Sequence, residues 1–511
     1  MLATATTATL VGVDGHVVTV EVHTSNGLPS FTIVGLPDAA CREARDRVRA
    51  AVLSSGLHWP DSRVTVNLAP SGLRKGGAVL DVAMAVAVLA ATDQVPAESL
   101  LGKAFLGELG LDGAVRAAAG ILPLTDALRD HAVVVASEAC HVALAAGPRA
   151  VHAVRTLAEL ASVLAGRAPW PETPPIPPQP PAAPLPDLGD VVGQPLARRA
   201  VEVAAAGGHH LLMLGPPGAG KTMLARRLVG LLPELDGQSA MEATRVQSAA
   251  GLPLPTGLAT RPAFRSPHHT ATVTALIGGG TTAIRPGEIS LAHRGVLFLD
   301  ELGEFAPSVL DAMRQPLEEG VVRVSRASGA CTFPARFLLV AAMNPCPCGH
   351  AGRPGSCRCS DYARQRYLRR LSGPLLDRFD LRVQVQRPEP DQLLDGIRGE
   401  STEPVAARVA AARTRAATRG VATNAELTPV QLERHAPITT SARRELRTRL
   451  REGLLSGRGL HRVRCVALTM CDLDGDEPVV NAERLHEALT LRATVGSLHA
   501  PVSAEHRMST G

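Results

Sequence analysis

Lysine and aromatic residues are scarce in this chain. Of the 53 basic residues among 511, three are lysines (Lys75, Lys103 and Lys221) and the other 50 are arginines, while aromatic residues make up 2%. The chain is otherwise rich in alanine, valine and leucine, which is typical of a high-GC coding bias. Against such a bias, a retained lysine is a candidate for a position that arginine cannot fill.

Other absences exclude whole classes of protein. No run of 18 apolar residues occurs, so we expect no transmembrane helix and no membrane partner. Residues 1–15 lack a basic segment followed by an apolar one, so we expect no secretory signal. Nine cysteines are too few for a disulfide scaffold at this length, and four of them crowd into residues 346–359. This grouping predicts bound metal or reduced thiols in a cytoplasmic protein.

The net charge of +5 is unevenly distributed. Residues 1–168 hold 13 basic and 15 acidic residues, a net charge of −2, and the remainder holds 40 and 33, a net charge of +7. A polyanionic partner is therefore expected to bind the C-terminal two thirds. Residues 401–470 alone hold 13 arginines against five acids, although a solvated helix face would show the same excess.

A proline-rich segment divides the chain. Residues 169–187 contain ten prolines, which favour an extended polyproline conformation and a semi-rigid spacer. We therefore predict an N-terminal domain at 1–168, a linker at 169–187, a second α/β domain at 188–385 and a helical domain at 386–511.

The N-terminal domain has an α/β pattern. Its apolar periodicity predicts four strands and two helices, at Val17–Val22, Phe31–Val34, Val64–Leu68, Phe105–Leu109, Cys41–Ser54 and Asp81–Ala91. The last of these helices is nearly all apolar, so we expect it to be buried.

The second domain contains three short apolar runs that each end in polar or glycine-rich sequence. His209–Leu214 enters a glycine-rich loop, Val296–Leu299 ends in two acids, and Phe337–Ala342 ends near Asn344. Such strands predict a parallel sheet with a ligand at the carboxyl edge. Beyond about residue 385 we predict a helical lid, with helices at Ala406–Arg419, at Ser441–Leu455 and after Arg458.

The glycine-rich loop matches the pattern G-x-x-x-x-G-K-[ST] between a predicted strand and a predicted helix at Met223–Leu231. Its residues are Gly215, Pro216, Pro217, Gly218, Ala219, Gly220, Lys221 and Thr222. Glycines let the backbone N–H groups turn toward phosphates, and the helix N-terminus favours negative charge. We predict that Lys221 contacts the β- and γ-phosphates of ATP and that Thr222 offers its hydroxyl to Mg²⁺. The planar guanidinium of arginine does not fit that slot.

Three further polar residues are candidates for hydrolysis. Asp300 ends the strand Val296–Leu299 and is predicted to reach the Mg²⁺ shell, while Glu301 is placed to polarise the attacking water. Without a phosphate loop, the two acids would be read as a solvated strand end. Asn344 is a candidate for orienting the water, or equally a turn residue before Pro345.

Two arginines are candidates for contacting the γ-phosphate. Arg378, in the segment 373–380, is a candidate arginine finger for a neighbouring subunit. The alternative is a surface salt bridge with Asp377 or Asp380. Arg458 begins a lid helix, and we expect it to contact the γ-phosphate of its own subunit.

These residues together resemble the magnesium-chelatase-like clade of AAA+ ATPases and, more closely, its YifB/ComM family. The resemblance runs through essentially the whole chain. It rests on the segments 31–38, 66–70, 73–75, 265–270, 276–280, 287–293, 313–318 and, most specifically, Ala342-Met-Asn-Pro-Cys-Pro-Cys-Gly349.

The resemblance implies roles and an assembly. Lys221 and Thr222 correspond to Walker A, Asp300 and Glu301 to Walker B, and Asn344 to sensor 1. Arg378 matches the arginine finger and Arg458 the sensor 2 position, with Arg462 and Arg464 nearby. The family also implies a homo-hexameric ring with ATP between subunits.

The resemblance further implies contact with DNA. It places one insertion at Ser266–Ile289 and a hairpin at Val321–Pro334, with its tip near residues 326–329. In related rings such hairpins point into the pore and grip DNA. ComM-type proteins are similar to helicases that drive branch migration during recombination of incoming DNA in natural transformation.

The N-terminal domain resembles the Lon-protease-like fold, but without its catalytic dyad. Gly76-Gly-Ala78 stands where the serine would fall, and Ala119-Gly-Ile-Leu122 has no lysine. Lys103 lies before the strand end at Gly107-Glu108, which is not the position of the dyad lysine. We therefore expect a non-proteolytic domain that supports assembly or substrate binding.

Four cysteines form two C-x-C pairs, Cys346 with Cys348 and Cys357 with Cys359. Four thiolates suffice for a tetrahedral structural Zn²⁺ site, and His350 is a substitute ligand. The alternative is four reduced cysteines in a loop.

The motifs favour an ATP-driven motor acting on single-stranded or branched DNA. With few aromatic residues for base stacking, we expect the grip to be on phosphates and to depend on salt. The alternatives are a magnesium-chelatase motor subunit and a regulatory ATPase that remodels a protein. An ATP-dependent protease is disfavoured by the missing dyad.

Overall fold

The computed structural model describes residues 1–176, 184–254, 257–280, 284–326, 329–349, 357–394 and 398–493. The chain is a mixed α/β protein whose central sheet consists of parallel strands, which confirms the predicted fold class. Among the described residues, no helix combines the length and apolar character needed to cross a membrane.

The N-terminal domain contains a seven-stranded sheet with the order β3-β4-β2-β1-β5-β8-β9. Its strands are β1 (Leu2–Val11), β2 (Asp14–Ser25), β3 (Ser30–Val34), β4 (Arg63–Ala69), β5 (Lys103–Phe105), β6 (Glu108–Leu109), β7 (Val115–Arg116), β8 (Ala132–Ala136) and β9 (Ala150–Val154). Its helices are α1 (Ala39–Ser54), α2 (Asp81–Ala91), α3 (Ile121–Asp126), α4 (Cys140–Ala145) and α5 (Leu157–Leu164). All residues of α2 are buried, as its apolar sequence predicts.

One strand prediction in this domain was wrong. The expected strand Phe105–Leu109 is two short strands, because β5 ends at Phe105 and β6 pairs with β7 outside the main sheet. The break lies at Gly107, where a Cβ atom would come within 2.9 Å of Val115 and 3.1 Å of Val82. A glycine permits this close approach, and the chain turns there.

The first part of the proline-rich segment lies against the N-terminal domain. The ring of Trp170 stacks on His152 with centroids 4.0 Å apart, and Nε2 of His141 lies 3.1 Å from the carbonyl oxygen of Pro175. Residues 177–183 lie outside the described residues, so the spacer and the domain boundaries stay predictions.

The second domain follows with nine strands and ten helices among its described residues. The strands are β10 (Leu211–Leu214), β11 (Phe264–Arg265), β12 (Gly278–Gly279), β13 (Arg285–Pro286), β14 (Val296–Leu299), β15 (Val321–Arg326), β16 (Gly329–Pro334), β17 (Leu338–Met343) and β18 (Leu381–Gln384). The helices are α6 (Pro195–Gly207), α7 (Lys221–Leu228), α8 (Gly237–Ala249), α9 (Val273–Ile277), α10 (Glu288–Leu291), α11 (Pro307–Ala312), α12 (Arg314–Glu319), α13 (Asp361–Leu368), α14 (Gly373–Leu376) and α15 (Pro390–Leu394).

Five of these strands form the parallel sheet that positions the site, in the order β11-β14-β17-β10-β18. Strands β10, β14 and β17 are entirely apolar and buried, as expected for a sheet covered on both faces. Leu214 pairs with Met343, and Leu299 pairs with Ala341, so the carboxyl ends of these strands meet at one edge. The residues that follow Leu214, Leu299 and Met343 in the sequence are therefore close to one another in space.

The C-terminal domain is helical, as predicted. Its helices are α16 (Thr402–Ala417), α17 (Pro429–His435), α18 (Thr440–Arg451), α19 (Gly457–Asp474) and α20 (Ala482–Thr490). Helix α19 is capped by Ser456, whose side chain accepts from the Gly459 amide, and most of its residues are buried. It packs against α6 and α16 and joins the lid to the sheet.

The N-terminal domain contacts the second domain at two places. The amide of Gly120, just before α3, donates to the carbonyl of Ser248 in α8 at 2.9 Å, and Arg245 pairs with Asp126. The β1–β2 turn lies against the β15–β16 hairpin, since a Cβ on Gly12 would meet Cys331 at 3.4 Å. The predicted hairpin is present, and residues 327 and 328 at its tip lie outside the described residues.

Candidate nucleotide site

The phosphate loop runs from the end of β10 to the start of α7. Gly218 and Gly220 have φ angles of 75° and 84°, which favour glycine. Gly215 is required for a different reason, because a Cβ atom there would lie 2.1 Å from the carbonyl oxygen of Val385. The loop glycines thus provide both the turn and the close packing that a phosphate cradle needs.

Two side chains that the sequence did not single out hold this loop. Nε2 of Gln194 donates to the carbonyl of Ala219 at 2.6 Å. Nε and Nη2 of Arg387 donate to the carbonyl of Pro217 at 3.0 and 2.7 Å. Neither residue belongs to a recognisable sequence motif, and Arg387 is one of 50 arginines in the chain. Arg387 places a positive charge next to the phosphate loop of its own chain.

Lys221 is buried beneath the loop. Its Nζ donates to the carbonyls of Gly215 at 2.6 Å and Pro216 at 3.0 Å, and to Oδ1 of Asn344 at 3.1 Å. Burial lowers the pKa of Lys221 to about 8, although the nearby carboxylates of Asp300 and Glu301 favour its charged form. The structure therefore brings the predicted Walker A lysine and the predicted sensor 1 residue into direct contact.

Thr222 and Asp300 lie side by side at the same edge. The Thr222 hydroxyl donates to Oδ2 of Asp300 at 2.7 Å, and the Glu301 amide donates to Oδ1 of Asp300 at 2.9 Å. A hydroxyl and a carboxylate oxygen are hard ligands that suit Mg²⁺, and the adjacent cradle and ammonium suit nucleotide phosphates. These residues therefore fit ATP and Mg²⁺.

Glu301 adopts an unusual backbone conformation. Its φ angle of 52° is left-handed, a conformation that costs energy for a residue other than glycine. Its half-exposed side chain pairs with His269, whose Nδ1 lies 3.2 Å from Oε2. His269 follows β11, the strand beside β14, so the sheet order brings this imidazole to Glu301. The sequence analysis quoted the segment 265–270 but assigned no role to His269.

Arg378 and Arg458 lie together at the other end of the sheet. Arg378 is 6% exposed and pairs with Glu318, and Nη2 of Arg458 lies 3.3 Å from Oε1 of the same residue. Arg378 lies just before β18, whereas the phosphate loop follows the end of the neighbouring β10. Strands of four residues are about 13 Å long, which separates the two edges.

The expected contact of Arg458 with the γ-phosphate of its own subunit was therefore wrong. Helix α19 begins near the strand-start edge, so Arg458 lies beside Arg378 instead of beside Lys221. Only the packing of this helix determines which end of the sheet its first residues reach. At the phosphate loop, the neighbouring arginine of the same chain is Arg387.

The alternative salt bridges of Arg378 are also absent. Asp377 lies 3.6 Å from Arg382, and Asp380 pairs with Arg462. Burial alone would raise the pKa of Asp380, but the His209 hydrogen bond and the Arg462 charge hold it well below its usual range. Nη1 of Arg462 also donates to the carbonyl of Arg378 at 2.7 Å, so α19 holds the backbone of this segment.

The four clustered cysteines converge at the carboxyl edge of the sheet. Their Sγ atoms all lie within 4.8 Å of one another, and three of the separations are 3.4, 3.8 and 3.7 Å. A tetrahedron of sulfurs around Zn²⁺, with Zn–S distances of about 2.3 Å, has edges of about 3.8 Å. Cys346, Cys348, Cys357 and Cys359 therefore fit such an ion. His350 lies outside the described residues.

The cysteine loop is packed on the phosphate loop. A Cβ atom on Gly349 would come within 2.6 Å of Cδ of Pro217, so this glycine allows the two loops to touch. The same loop begins at Asn344, which contacts Lys221. The cysteines thus hold a segment that touches the phosphate loop at two points.

The chain is similar to known proteins over most of its length. Three family models match the chain: "Magnesium chelatase, subunit ChlI" over residues 187–393, "Subunit ChlI of Mg-chelatase" over 20–139 and "Magnesium chelatase, subunit ChlI C-terminal" over 399–492. The competence protein ComM of Haemophilus influenzae is 42% identical over 491 residues, which cover 95% of this chain and 96% of that protein.

The chain belongs to the YifB/ComM family of magnesium-chelatase-like AAA+ ATPases. The resemblance drawn from the motifs is thereby confirmed, and the chain is an AAA+ ATPase of this family. An uncharacterised protein of Mycobacterium tuberculosis is 48% identical over 478 residues, covering 91% of this chain and 93% of that protein. The magnesium-chelatase 38 kDa subunit of Cereibacter sphaeroides is 26% identical over 214 residues, or 39% of this chain and 58% of that protein.

Proposed function

We propose that this YifB/ComM-family ATPase is a homo-hexameric ring motor that acts on DNA, as a helicase or branch-migration enzyme in the recombination of incoming DNA. The observation that carries the proposal is the placement of Arg378 and Arg458 together, at the edge of the sheet away from their own phosphate loop. At this edge the two arginines would contact the γ-phosphate of an ATP that is bound to a neighbouring subunit. Each subunit then contacts the next one head to tail, and such contacts form a closed ring when the rotation between subunits closes.

Within one subunit, the residues divide the work of hydrolysis. The loop amides and Lys221 bind the phosphates, and Thr222 with Asp300 would hold Mg²⁺, which supplies positive charge when bound. Asn344 fixes Lys221 through Oδ1. Glu301 is proposed to accept a proton at Oε2 from the attacking water, which requires release of that oxygen from His269.

The arginines act across the subunit boundary. Arg378 and Arg458 would leave Glu318 for the γ-phosphate of the neighbour, where their charge stabilises the transition state. Arg462 keeps the Arg378 backbone in place from α19, so that lid position and finger position change together.

DNA contact is proposed for the β15–β16 hairpin and the lid. The hairpin follows α12, which carries Glu318, so arginine movement at the interface has a short path to it. The β1–β2 turn lies at the hairpin, which supports a bracing role for the N-terminal domain. The name of the Haemophilus relative, competence protein ComM, supports DNA over other substrates.

We also propose that the four cysteines bind a structural Zn²⁺ ion. The sulfur separations support this, together with the known preference of zinc for four thiolates. The cluster of reduced thiols also supports a cytoplasmic location.

The alternatives remain less well supported. A chelatase motor subunit is favoured by the names of the family models, including the one that matches residues 20–139, but the chelatase subunit itself covers 39% of this chain. A protein-remodelling ATPase has no specific observation in its favour. A protease lacks the dyad, and Nζ of Lys103 is bound to the carbonyl of Ser99 at 3.0 Å.

One experiment tests the proposal. The ATPase rate of the full chain is measured with and without single-stranded or four-way-junction DNA, and we expect DNA to bind at low salt and to raise the rate. Absence of both binding and stimulation would overturn the DNA function and leave the ATPase assignment intact.

A further inference from the structure

A groove of about 430 Å³ runs along α18 on the lid. Arg443, Arg447 and Arg451 line it at intervals of four residues, so they form one stripe with an axial spacing of about 6 Å. All three side chains are exposed. Among the described residues, none of the three forms a salt bridge.

Six of the 13 arginines at residues 401–470 form salt bridges, namely Arg408, Arg419, Arg449, Arg458, Arg462 and Arg464. The stripe differs from the other arginines without a salt bridge among the described residues, such as Arg434 and Arg444, because its three members line one groove together. Like charges four residues apart on a helix repel one another. The stripe is therefore a concentrated positive charge whose natural complement is a regularly spaced polyanion.

The floor of the groove is apolar. Leu446 is 3% exposed, Ile438 and Leu460 are partly buried, and Leu450 is 38% exposed. No aromatic side chain lines the groove, so bases have nothing on which to stack. An apolar floor beneath a row of guanidinium groups fits the alternating sugars and phosphates of a nucleic-acid strand.

We propose that this groove binds the phosphodiester backbone of a DNA strand without reading its sequence. The proposal rests on the DNA function above and names a docking surface for it. Glu433 is the acidic residue that lines the groove, and it is already paired with Arg464. The charges facing the strand are then those of the unpaired arginines.

The groove is mechanically connected to the nucleotide interface through α19. Leu460 and Arg464 of this helix line the groove, and Arg458 and Arg462 of the same helix contact Glu318 and the Arg378 backbone. A buried 18-residue helix moves as one body. A bound DNA strand that displaces Leu460 and Arg464 therefore also displaces Arg458 and Arg462 at the subunit interface.

The test compares two triple variants of the full chain. The groove variant carries Arg443→Gln, Arg447→Gln and Arg451→Gln. The control variant removes the same charge at Arg42, Arg49 and Arg444, which are exposed, form no salt bridge among the described residues and do not line the groove. Binding of a fluorescent single-stranded DNA is measured by polarisation over a salt series, and Tm confirms that both variants fold.

We expect the groove variant to bind DNA at least ten-fold more weakly at low salt, while the control variant stays within two-fold of the wild type. Each phosphate contact to a single strand contributes about 0.7 to the salt slope, so losing three contacts lowers it by about 2. DNA stimulation of ATP hydrolysis should fall with binding in the groove variant. The control variant should keep both basal and stimulated rates.

The outcomes separate the groove from the DNA function. If the groove variant binds DNA as tightly as the wild type and with the same salt slope, the groove proposal is wrong and the proposed DNA motor function is unaffected. A wild-type chain that binds no DNA would overturn both. Basic amphipathic helices also bind anionic membranes, so vesicles containing phosphatidylserine form a third arm. Loss of vesicle binding with retained DNA binding would also refute the groove proposal.

Discussion

Arg378 of the core and Arg458 of the lid approach the same carboxylate oxygen, Oε1 of Glu318. Glu318 is near the end of α12, and the β15–β16 hairpin begins three residues later at Val321. One carboxylate therefore connects the two candidate interface arginines with the candidate DNA hairpin. It also competes with any phosphate that the arginines are to bind.

Removing this carboxylate should favour the interface. In Glu318→Gln the arginines are released, so we expect the KM for ATP of the assembled enzyme to fall by about two- to five-fold. This range corresponds to about 0.4–1 kcal/mol, within the range measured for ion pairs that have one solvent-exposed partner. Glu319→Gln, which removes the neighbouring pair with Arg323, is the control. An unchanged or higher KM in Glu318→Gln would show that the pair does not restrain the arginines.

The two arginines should act in trans. We expect Arg378→Ala and Arg458→Ala to bind ATP at most about five-fold more weakly, but to hydrolyse it far more slowly, by about 10³-fold for the finger. Mixing Arg378→Ala with Lys221→Ala subunits should restore part of the ATPase rate, because some interfaces then combine an intact phosphate loop with an intact finger. A mixture as inactive as its components would indicate action within one subunit.

ATP affinity should depend on pH through Lys221. Burial lowers the pKa of this amine to about 8. Its charged form binds phosphate and is the low-pH form, so affinity is complete below this pKa and is lost above it. We expect the affinity for a fluorescent ATP analogue to fall by up to about ten-fold per pH unit above pH 8. Lys221→Met lacks the amine, so its weaker binding should not change over the same pH range, and equal profiles in the two proteins would count against this cause.

Mutation of the Walker B glutamate should separate binding from hydrolysis. In Glu301→Gln the amide cannot take the water proton, so we expect ATP to remain bound with a loss of at least about 100-fold in kcat. His269→Ala should leave ATP binding intact and raise basal kcat by a few fold, because Oε2 of Glu301 is released. Rapid turnover in Glu301→Gln, or no change in His269→Ala, would refute the respective assignment.

The cysteine cluster should carry one zinc ion per chain. Protein purified without a His tag should contain about one equivalent by elemental analysis, and less than half an equivalent would remove the zinc proposal. Cys348→Ser with Cys357→Ser should lose the metal, lower Tm and weaken ATP binding, since this loop carries Asn344 and packs on Pro217. Cys331→Ser, outside the cluster, should change none of these.

Much of the site was predictable because it depends on consecutive residues. The phosphate loop and the Asp300–Glu301 strand end each arise from a local pattern, and parallel strands bring their carboxyl ends together. The β15–β16 hairpin was instead expected from the family resemblance. Local patterns failed where distant packing intervened. Phe105–Leu109 has strand composition throughout, yet the contacts of Gly107 with Val82 and Val115 divide it.

The sequence by itself determined the family, the parallel-sheet core, the phosphate loop and the four cysteines, because each follows from residue identities along a short stretch of chain. Only the tertiary structure decided that Arg458 lies at the strand-start edge of the sheet and that His269 contacts Glu301. It also decided that Gln194 and Arg387 bind the phosphate loop. Those outcomes depend on how α19 and the sheet pack across long separations in sequence. The energy of that packing is shared among many buried residues, so no single motif records it.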